Sequence, residues 1–397
     1  MRYSKLTHLF AVLLLLAVFL QLVQAKKHKE EDDEDDDDDD IEENDKHTAP
    51  ANGIPPGEEI KTPREAVWLK NVDLSKVPNL PRRKVGSGRC ANANCDGPDN
   101  DRCFETCGNK PDDDDYYGCP DRLNWALTFD DGPSLFTKEL LDTLDQMNVK
   151  ATFCVMGAHV KLFPEFLKRA ADSGHQIASH TYSHPHLMSL SNEDIIYEMR
   201  ATDEEIFKVT GIRPKFMRPP FGEADQRVKG LLKSMGYKIL MWNVDPKDYE
   251  VYENPNAAEQ LQQVIDAAIQ KHETVTNPHD DPGFISLQHD LYDVSVKQVP
   301  IFVKKLRDLG YNLTTAAQCV KESEPHYNQH FLPDPLLAQH RNEEKARLEK
   351  EAAAKAAEKN VVPVAPAPKV SQASSSYATS TYLLATFVAM PFVALLL

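Results

Sequence analysis

Two neighbouring carboxylates, Asp130 and Asp131, stand where an apolar run beginning at Trp125 meets a Gly132-Pro133 turn. Two ionised carboxylates this close repel each other unless a cation lies between or beside them. Side chains that follow one another on a strand point to opposite faces, so a shared task would require a bend at this point. Further along the chain, other short apolar runs end in groups that suit a cation. One leads into Ser179-His180-Thr181-Tyr182-Ser183-His184, another into Arg218-Pro219-Pro220-Phe221-Gly222, a third towards Asp245 and Asp248, and a fourth into Gln288-His289-Asp290. Two neutral imidazoles and one carboxylate suit a divalent metal with open positions, Zn2+ best, though cobalt, nickel or iron would be accepted. Such a metal makes water a usable nucleophile near neutral pH. The second Asp of the pair is then free to act as base, and His289 to protonate a leaving group. A metal, a base and an acid together spell hydrolysis.

These groups need a scaffold that brings distant segments to one rim. The apolar runs are Trp125–Phe129, Ala151–Val155, Gln176–Ser179, Lys215–Met217, Lys238–Trp242, Phe284–Leu287 and Asn312–Thr314. Helical patterns alternate with them at Thr137–Met147, Val160–Ser173, Asn192–Thr210, Gln226–Met235, Pro255–Lys271 and Ser295–Leu309. Gly174, Gly211, Gly236 and Gly310 follow four of these helices, and Ser191 precedes another as a cap. Such alternation predicts parallel strands joined by crossover helices, in an open sheet or a barrel with its chemistry at the C-terminal strand ends. No glycine-rich phosphate fingerprint occurs at a strand-to-helix turn, which argues against a nucleotide. A formal net charge of −17 argues against nucleic acid.

Taken together, the strand-end groups resemble the motifs of the polysaccharide deacetylase family (the NodB-homology domain, carbohydrate esterase family four). TFDDGP stands at 128–133, H-[ST]-x-x-H at 180–184, R-x-P-[FY] at 218–221, D-x-x-D-aromatic at 245–249 and Leu-x-His at 287–289. Five motifs in order on successive strand ends are specific, and they cover the region from about Cys119 to Cys319. The resemblance implies a distorted (β/α)7–8 barrel, often incompletely closed, holding one divalent metal, Zn2+ or Co2+. It implies that Asp131, His180 and His184 hold the metal and that Asp130 is the general base. His289 would be the acid, Arg218 would orient Asp130, and Asp248 would orient His289, with Asp245 a rival for that task. Trp242, Tyr249 and Leu287 would line the slot for the acetyl group and sugar, and a backbone N–H near Phe221 would face the oxyanion. Tyr249 stands where many members carry Trp, and Phe221 where Tyr is common. The reaction implied is removal of N-acetyl groups from chitin or its oligomers, with acetate and cationic chitosan as products.

The flanks suggest where such a protein works. Met1 to Ala25 reads as a secretory signal peptide, and the small residues Ala373 to Ser376 before an apolar Tyr382–Leu397 read as a lipid-anchor signal, with Ser374 as the attachment site and a tail-anchoring helix as the alternative. The expected layout is a signal at 1–25, an acidic and Pro-containing disordered arm or linker at 26–84 and a disulfide-rich segment at 85–118. A deacetylase domain at 119–325, a helical and Pro/Ser-rich stalk at 326–372 and an anchor signal at 373–397 follow. Of seven cysteines, Cys154 sits in an apolar run and reads as the free thiol. A Cys119–Cys319 bridge would tie together the two ends of a closed domain. Cys90, Cys95, Cys103 and Cys107 are expected in two local disulfides whose pairing the spacing leaves open; an oxidising compartment disfavours a zinc knuckle there. Asn312-Leu313-Thr314 is a glycosylation sequon on an expected strand. The acidic stretches Glu31–Asp40 and Asp112–Asp115 suggest retention of a cationic product. Three rival readings keep part of this pattern: a wall-binding protein with an inactive site, a deacetylase of xylan or peptidoglycan, and a non-haem iron oxygenase. The last would leave Asp130 and His289 without tasks.

Overall fold

The computed structural model describes residues 60–70, 72–85, 112–271 and 279–359. The expected signal peptide, the acidic run before residue 60, Cys90, Cys95, Cys103, Cys107, Ser374 and the anchor signal lie outside the described residues. The first strands and helices are β1 (Asn124–Asp130), α1 (Thr137–Gln146), β2 (Thr152–Val155), α2 (Gly157–Leu162), α3 (Pro164–Asp172), β3 (Gln176–Ser179) and α4 (Asn192–Thr210). Next come β4 (Arg213–Pro214), β5 (Phe216–Met217), α5 (Gln226–Ser234), β6 (Lys238–Ile239), α6 (Asp248–Val251) and α7 (Ala257–Lys271). The last are β7 (Phe284–His289), α8 (Asp293–Asp308), β8 (Asn312–Thr314), α9 (Ala316–Cys319), β9 (His326–Tyr327) and α10 (Asp334–Lys359). Seven strands form one parallel sheet in the order β6-β5-β3-β2-β1-β7, with β8 also on β1. The sheet curls until the stretch after β6 meets β7 at a parallel bridge between Val244 and Ser286, an incompletely closed barrel.

Each predicted strand and helix is present, and the departures have local causes. The pattern Val160–Ser173 is two helices, because Pro164 has no N–H to give and Phe163 before it leaves the helical region (φ −129°, ψ 54°). Only Lys238–Ile239 of the run Lys238–Trp242 pairs as regular strand. The capping residues behave as expected: Ser191 accepts from the Asp194 N–H, and Gly174, Gly211, Gly236 and Gly310 all have positive φ.

Period two sorts the strand residues onto two faces. Trp125, Leu127 and Phe129 of β1, Phe153 of β2 and Ile177 of β3 pack outward with α1, α7 and α8 residues such as Leu141, Ile265 and Phe302. Ala126, Cys154, Ala178, Phe216 and Ile285 face inward, in a second cluster that includes Cys119 and Cys319. Both faces are covered, as a parallel sheet requires. Continued towards the C-terminal ends, the inward series reach Asp130, His180, Arg218 and His289.

Beyond the barrel, residues 60–70 and 72–85 lie along α4 and α5, so this part of the arm expected to be disordered is ordered by the apolar side chains it buries. Trp68 is buried edge-on to Phe331, and Leu69, Val72 and Val77 join the apolar cluster of Leu231 and Met199. β9 pairs antiparallel with β4, so the chain stays with the domain past residue 325. Asp112 and Asp114 are paired with Lys233 (2.8 and 2.6 Å), and buried Asp115 with buried Lys229. Asp115 is thus engaged inside the fold and Asp112 half-buried, while Asp113 and Asp114 stay exposed, so of the stretch Asp112–Asp115 expected to hold a cationic product, Asp115 is already taken up by Lys229. Asn312 is exposed at the start of β8 and donates to Asn124 (3.0 Å). The helix α10, taken by itself, is rich in charged residues beyond Leu336 and Leu337 of its first turn and carries an i,i+4 pair, Lys345–Glu349. Among the described residues, no helix is long and apolar enough to cross a membrane.

Cys119 and Cys319 form a disulfide across 200 residues of sequence, and Cys154 is free and buried. A loop this long restricts the unfolded chain strongly. Replacing both cysteines by Ser should lower unfolding free energy by about 3–5 kcal/mol. Urea denaturation of the double variant beside the oxidised parent checks this.

Candidate active site

The inward face of the sheet delivers most of the site by register alone. Asp130 is the Cα partner of Cys154 on one side and of His289 on the other, so a carboxylate and an imidazole lie side by side at the rim. His180 follows β3 directly, with its backbone N–H on the Val155 carbonyl, and Arg218 follows β5 with its N–H on the Ser179 carbonyl.

Asp131 is the residue that alternation would send to the other face. Its φ of +71° provides the bend that two neighbouring carboxylates require to face one site. The turn is held by the Asp131 N–H on the Cys154 carbonyl (3.2 Å) and by His159, whose Nδ1 donates to the Asp131 carbonyl (2.5 Å). Only glycine fits at 132, since a Cβ there would stand 2.2 Å from an Asp290 carboxylate oxygen. Asp131 is one of five non-glycine residues with positive φ at these strand exits, with Thr181, His184, Phe221 and Lys247. Strained backbone of this kind gathers where a site demands a particular side-chain direction.

Asp131, His180 and His184 each turn one ligand atom to a common point, all within 4.8 Å of one another. His180 Nε2 is 3.2 Å and His184 Nε2 3.5 Å from Asp131 Oδ1. His180 Nδ1 donates to the Arg218 carbonyl (2.8 Å), so in the neutral ring Nε2 is a bare lone pair. Burial holds His184 near pKa 3, hence neutral under ordinary conditions, the form that binds metal. The buried Asp131 Oδ1 has no well-aligned hydrogen-bond donor. Lone pairs converging on an unanswered carboxylate oxygen fit a divalent cation and little else.

The pair Asp130–Arg218 is fully enclosed. Arg218 Nη1 donates to Asp130 Oδ1 (2.6 Å) and to Thr128 (2.7 Å), while Nε and Nη2 reach the Leu240 and Met241 carbonyls. The other Asp130 oxygen lies 3.8 Å from His180 Nε2. Across the site, His289 Nε2 is 3.9 Å from Asp131 Oδ2, and its Nδ1 meets Asp248 Oδ1 at 2.6 Å. Asp248 is itself positioned by Ser295 (2.5 Å) and by the His289 and Tyr249 backbone N–H groups. Burial opposes a charge on His289, but Asp248, then Asp131 and Asp130, raise it to about 10. A cation on Asp131 would remove that carboxylate's share, which leaves Asp248 as the lasting cause.

Of the two candidates beside His289, the structure brings Asp248 to it and sends Asp245 elsewhere. Asp245 accepts from Lys247 N–H (2.8 Å) and from the Tyr249 hydroxyl (3.2 Å). Among the expected lining residues, Tyr249 is edge-on to His289 (5.4 Å), Leu287 is buried on β7, and the Trp242 ring lies under the Arg218 guanidinium (5.5 Å). Phe221 is edge-on to His184 and stacked on His186, which holds Glu223 (2.9 Å). Past Phe221, the Gly222 and Glu223 N–H groups close the turn on Pro219 and Pro220. Sequence reasoning missed Thr128, His159 and Ser295 as supports. Each is an ordinary buried polar residue whose task depends on a partner distant in sequence.

The sequence that builds this site is similar to that of known proteins. A family model described as polysaccharide deacetylase matches residues 118–240. The chain is 37% identical over 268 residues to chitin deacetylase 1 of Cryptococcus neoformans, covering 64% of this chain but only 55% of that protein. It is 34% identical over 207 residues to the chitin deacetylase of Colletotrichum lindemuthianum, covering 50% of this chain and 79% of that one. A peptidoglycan-N-acetylglucosamine deacetylase of Bacillus cereus is 35% identical over 188 residues, 47% of this chain and 66% of that protein. The solved structure of the Colletotrichum enzyme covers 54% of this chain and 95% of its own, at 32% identity and a TM-score of 0.49. With a family model across the first three strand-end motifs and a relative 34% identical over 79% of its own length, the chain belongs to the polysaccharide deacetylase family.

Proposed function

We propose that this chain is a metal-dependent deacetylase that hydrolyses the N-acetyl groups of N-acetylglucosamine units in chitin, leaving chitosan and acetate. One observation carries the reading. A carboxylate fixed by Arg218 and an imidazole fixed by Asp248 stand on opposite sides of a carboxylate–imidazole cluster that fits a divalent cation. Asp131, His180 and His184 would hold that cation, Zn2+ first by donor set and Co2+ next. When bound it polarises the acetamide carbonyl and makes an adjacent water acidic enough to react near neutral pH.

The chain's own groups do the proton work. Asp130, kept ionised and oriented by Arg218, accepts a proton from the attacking water. His289 carries its proton at neutral pH and gives it from Nε2 to the departing nitrogen as the C–N bond breaks. Trp242, Tyr249, Leu287 and Phe221 would bound the slot for the acetyl group and sugar ring. Chitin is favoured over peptidoglycan by the two fungal relatives and by the eukaryotic surface signals in the sequence. The expected signal peptide, a lipid anchor at Ser374 and a glycan on Asn312 extend the proposal to a protein held at the cell surface. Two local disulfides among Cys90, Cys95, Cys103 and Cys107 suit that setting.

Acetate release by the full chain is the direct test, with chitin oligomers and peptidoglycan as separate substrates. Activity on chitin should vanish on chelation and return with Zn2+ or Co2+, and Asp130→Asn should lower kcat by about 10²–10⁴-fold. A metal-loaded chain that binds chitin and releases no acetate would support the wall-binding reading instead; release from peptidoglycan alone would move the substrate.

The two neighbouring carboxylates should separate cleanly. Asp248→Asn leaves His289 without its charged partner and should cut kcat by about 10–100-fold with little change in KM. Asp245 behaves differently: burial, aided by the Asp248 charge, pushes it up to about 6, above the ordinary Asp value. The folded state therefore holds its proton more tightly than the unfolded state, and stability is lost as pH rises from about 4 through 6. Asp245→Asn should stabilise the fold by about 1–3 kcal/mol at pH 8, with the gain closing below pH 4. Denaturant unfolding at both pH values measures it.

A further inference from the structure

One buried carboxylate near the site takes no part in the reaction above. Glu198 lies midway along α4, 4% exposed, and both its oxygens face the segment that carries His184. Oε2 accepts the Tyr182 and Ser183 backbone N–H groups, each at 2.9 Å. Oε1 accepts the Ser183 hydroxyl (2.8 Å) and the hydroxyl of Thr62 from the N-terminal arm.

The segment requires such an anchor. Thr181 and His184 both have positive φ, +66° and +59°, a region that side chains with a Cβ enter at a cost, β-branched Thr most of all. Within the turn, the His184 N–H reaches Thr181 Oγ1 (3.1 Å). His180 is held by other means, through strand-end bonds to the Val155 and Arg218 carbonyls. The two imidazoles thus depend on different supports, and the support beneath His184 comes from a helix and the arm. The arm is fastened independently: Arg64 pairs with Asp194 in the first turn of α4 (2.6 Å), and Trp68 is buried. Residues 60–70 lie before the stretch matched by the family model, 118–240.

We infer that Glu198 is a positioning residue for His184, and that Thr62 of the N-terminal arm completes its hold, so that the arm helps to set cation affinity. The inference rests on the reading of Asp131, His180 and His184 as cation ligands. It predicts that loosening a contact well behind the ligands weakens the site without unfolding the domain.

The experiment uses the full chain stripped by chelator and titrated with Zn2+ against a chromophoric competitor. Parent, Glu198→Gln, Thr62→Val and the surface control Lys138→Ala are compared, with circular dichroism melts to confirm folding. Glu198→Gln should weaken Zn2+ binding by about 10–100-fold, and Thr62→Val by about 3–10-fold, the worth of one hydrogen bond to a carboxylate. Lys138→Ala should leave it unchanged. The visible bands of the Co2+ form should shift in the first two variants and not in the control, since they report ligand geometry. Should Glu198→Gln fail to fold, Thr62→Val decides alone. Folded variants with parental affinity and unshifted Co2+ bands would overturn the positioning role while leaving the cation reading intact. A parent that takes up no Zn2+ would overturn both.

Discussion

Five carboxylates stand buried at one end of this sheet: Asp130, Asp131, Asp245, Asp248 and Asp290. Burying one unanswered charge costs several kcal/mol, and five like charges in one place add mutual repulsion. The arrangement at the strand ends follows from how each is answered. Asp130 has Arg218, itself fully enclosed; Asp248 has His289, Ser295 and two backbone donors. Asp245 and Asp290 are pushed by burial to about 6 and 7, so that part of their charge is shed. Asp131 is left with an unaligned inner oxygen facing two imidazoles, and a cation is the answer that fits.

This balance explains why the supports reach so far from the chemistry. Arg218 can orient Asp130 only because Thr128 and the Leu240 and Met241 carbonyls take up its remaining donors, and the Thr128 hydroxyl in turn donates a hydrogen bond to the Ser286 carbonyl. Strands β1, β5, β6 and β7 are therefore tied to one guanidinium. Removing any single member would leave a buried polar group without its partner, and such losses are steep compared with the worth of the bond itself. The strained exits at Asp131, Thr181, His184, Phe221 and Lys247 belong to the same design. They aim side chains that regular strand geometry would aim elsewhere; His159 and the Cys154 carbonyl hold the exit at Asp131, and Glu198 of α4 grips the turn between Thr181 and His184.

The segments outside the barrel have more than one relation to it. Residues 60–70 and 72–85, and β9, join the domain through buried apolar groups and backbone pairing. The acidic turn Asp112–Asp115 is bound to α5 through Lys229 and Lys233, so a run that looks like a solvated charge patch also serves as a fastening, with Asp113 and Asp114 still exposed. The difference between the two is the presence of partners more than a hundred residues away.

Much of this was legible in the chain alone, for a reason that can be stated. Parallel strands buried on both faces must be short apolar runs, crossover helices must carry 3.6-residue periodicity, and groups at the C-terminal ends of such strands must share a rim. The seven runs, their order, the free Cys154 and the meeting of Asp130, His180, Arg218 and His289 all follow from local pattern and period-two alternation. Other features depend on distance in space. Which of Asp245 and Asp248 meets His289 turns on the path of a loop and on Ser295 from α8. That Asp131 faces the same site as Asp130 turns on one positive φ. That Glu198 and Thr62 stand behind His184 depends on packing between a helix and an arm. Local periodicity determines which face a residue takes. Only the tertiary structure decides which partner waits there, because pairing in a buried site is set by contacts whose sequence separation carries no local signal.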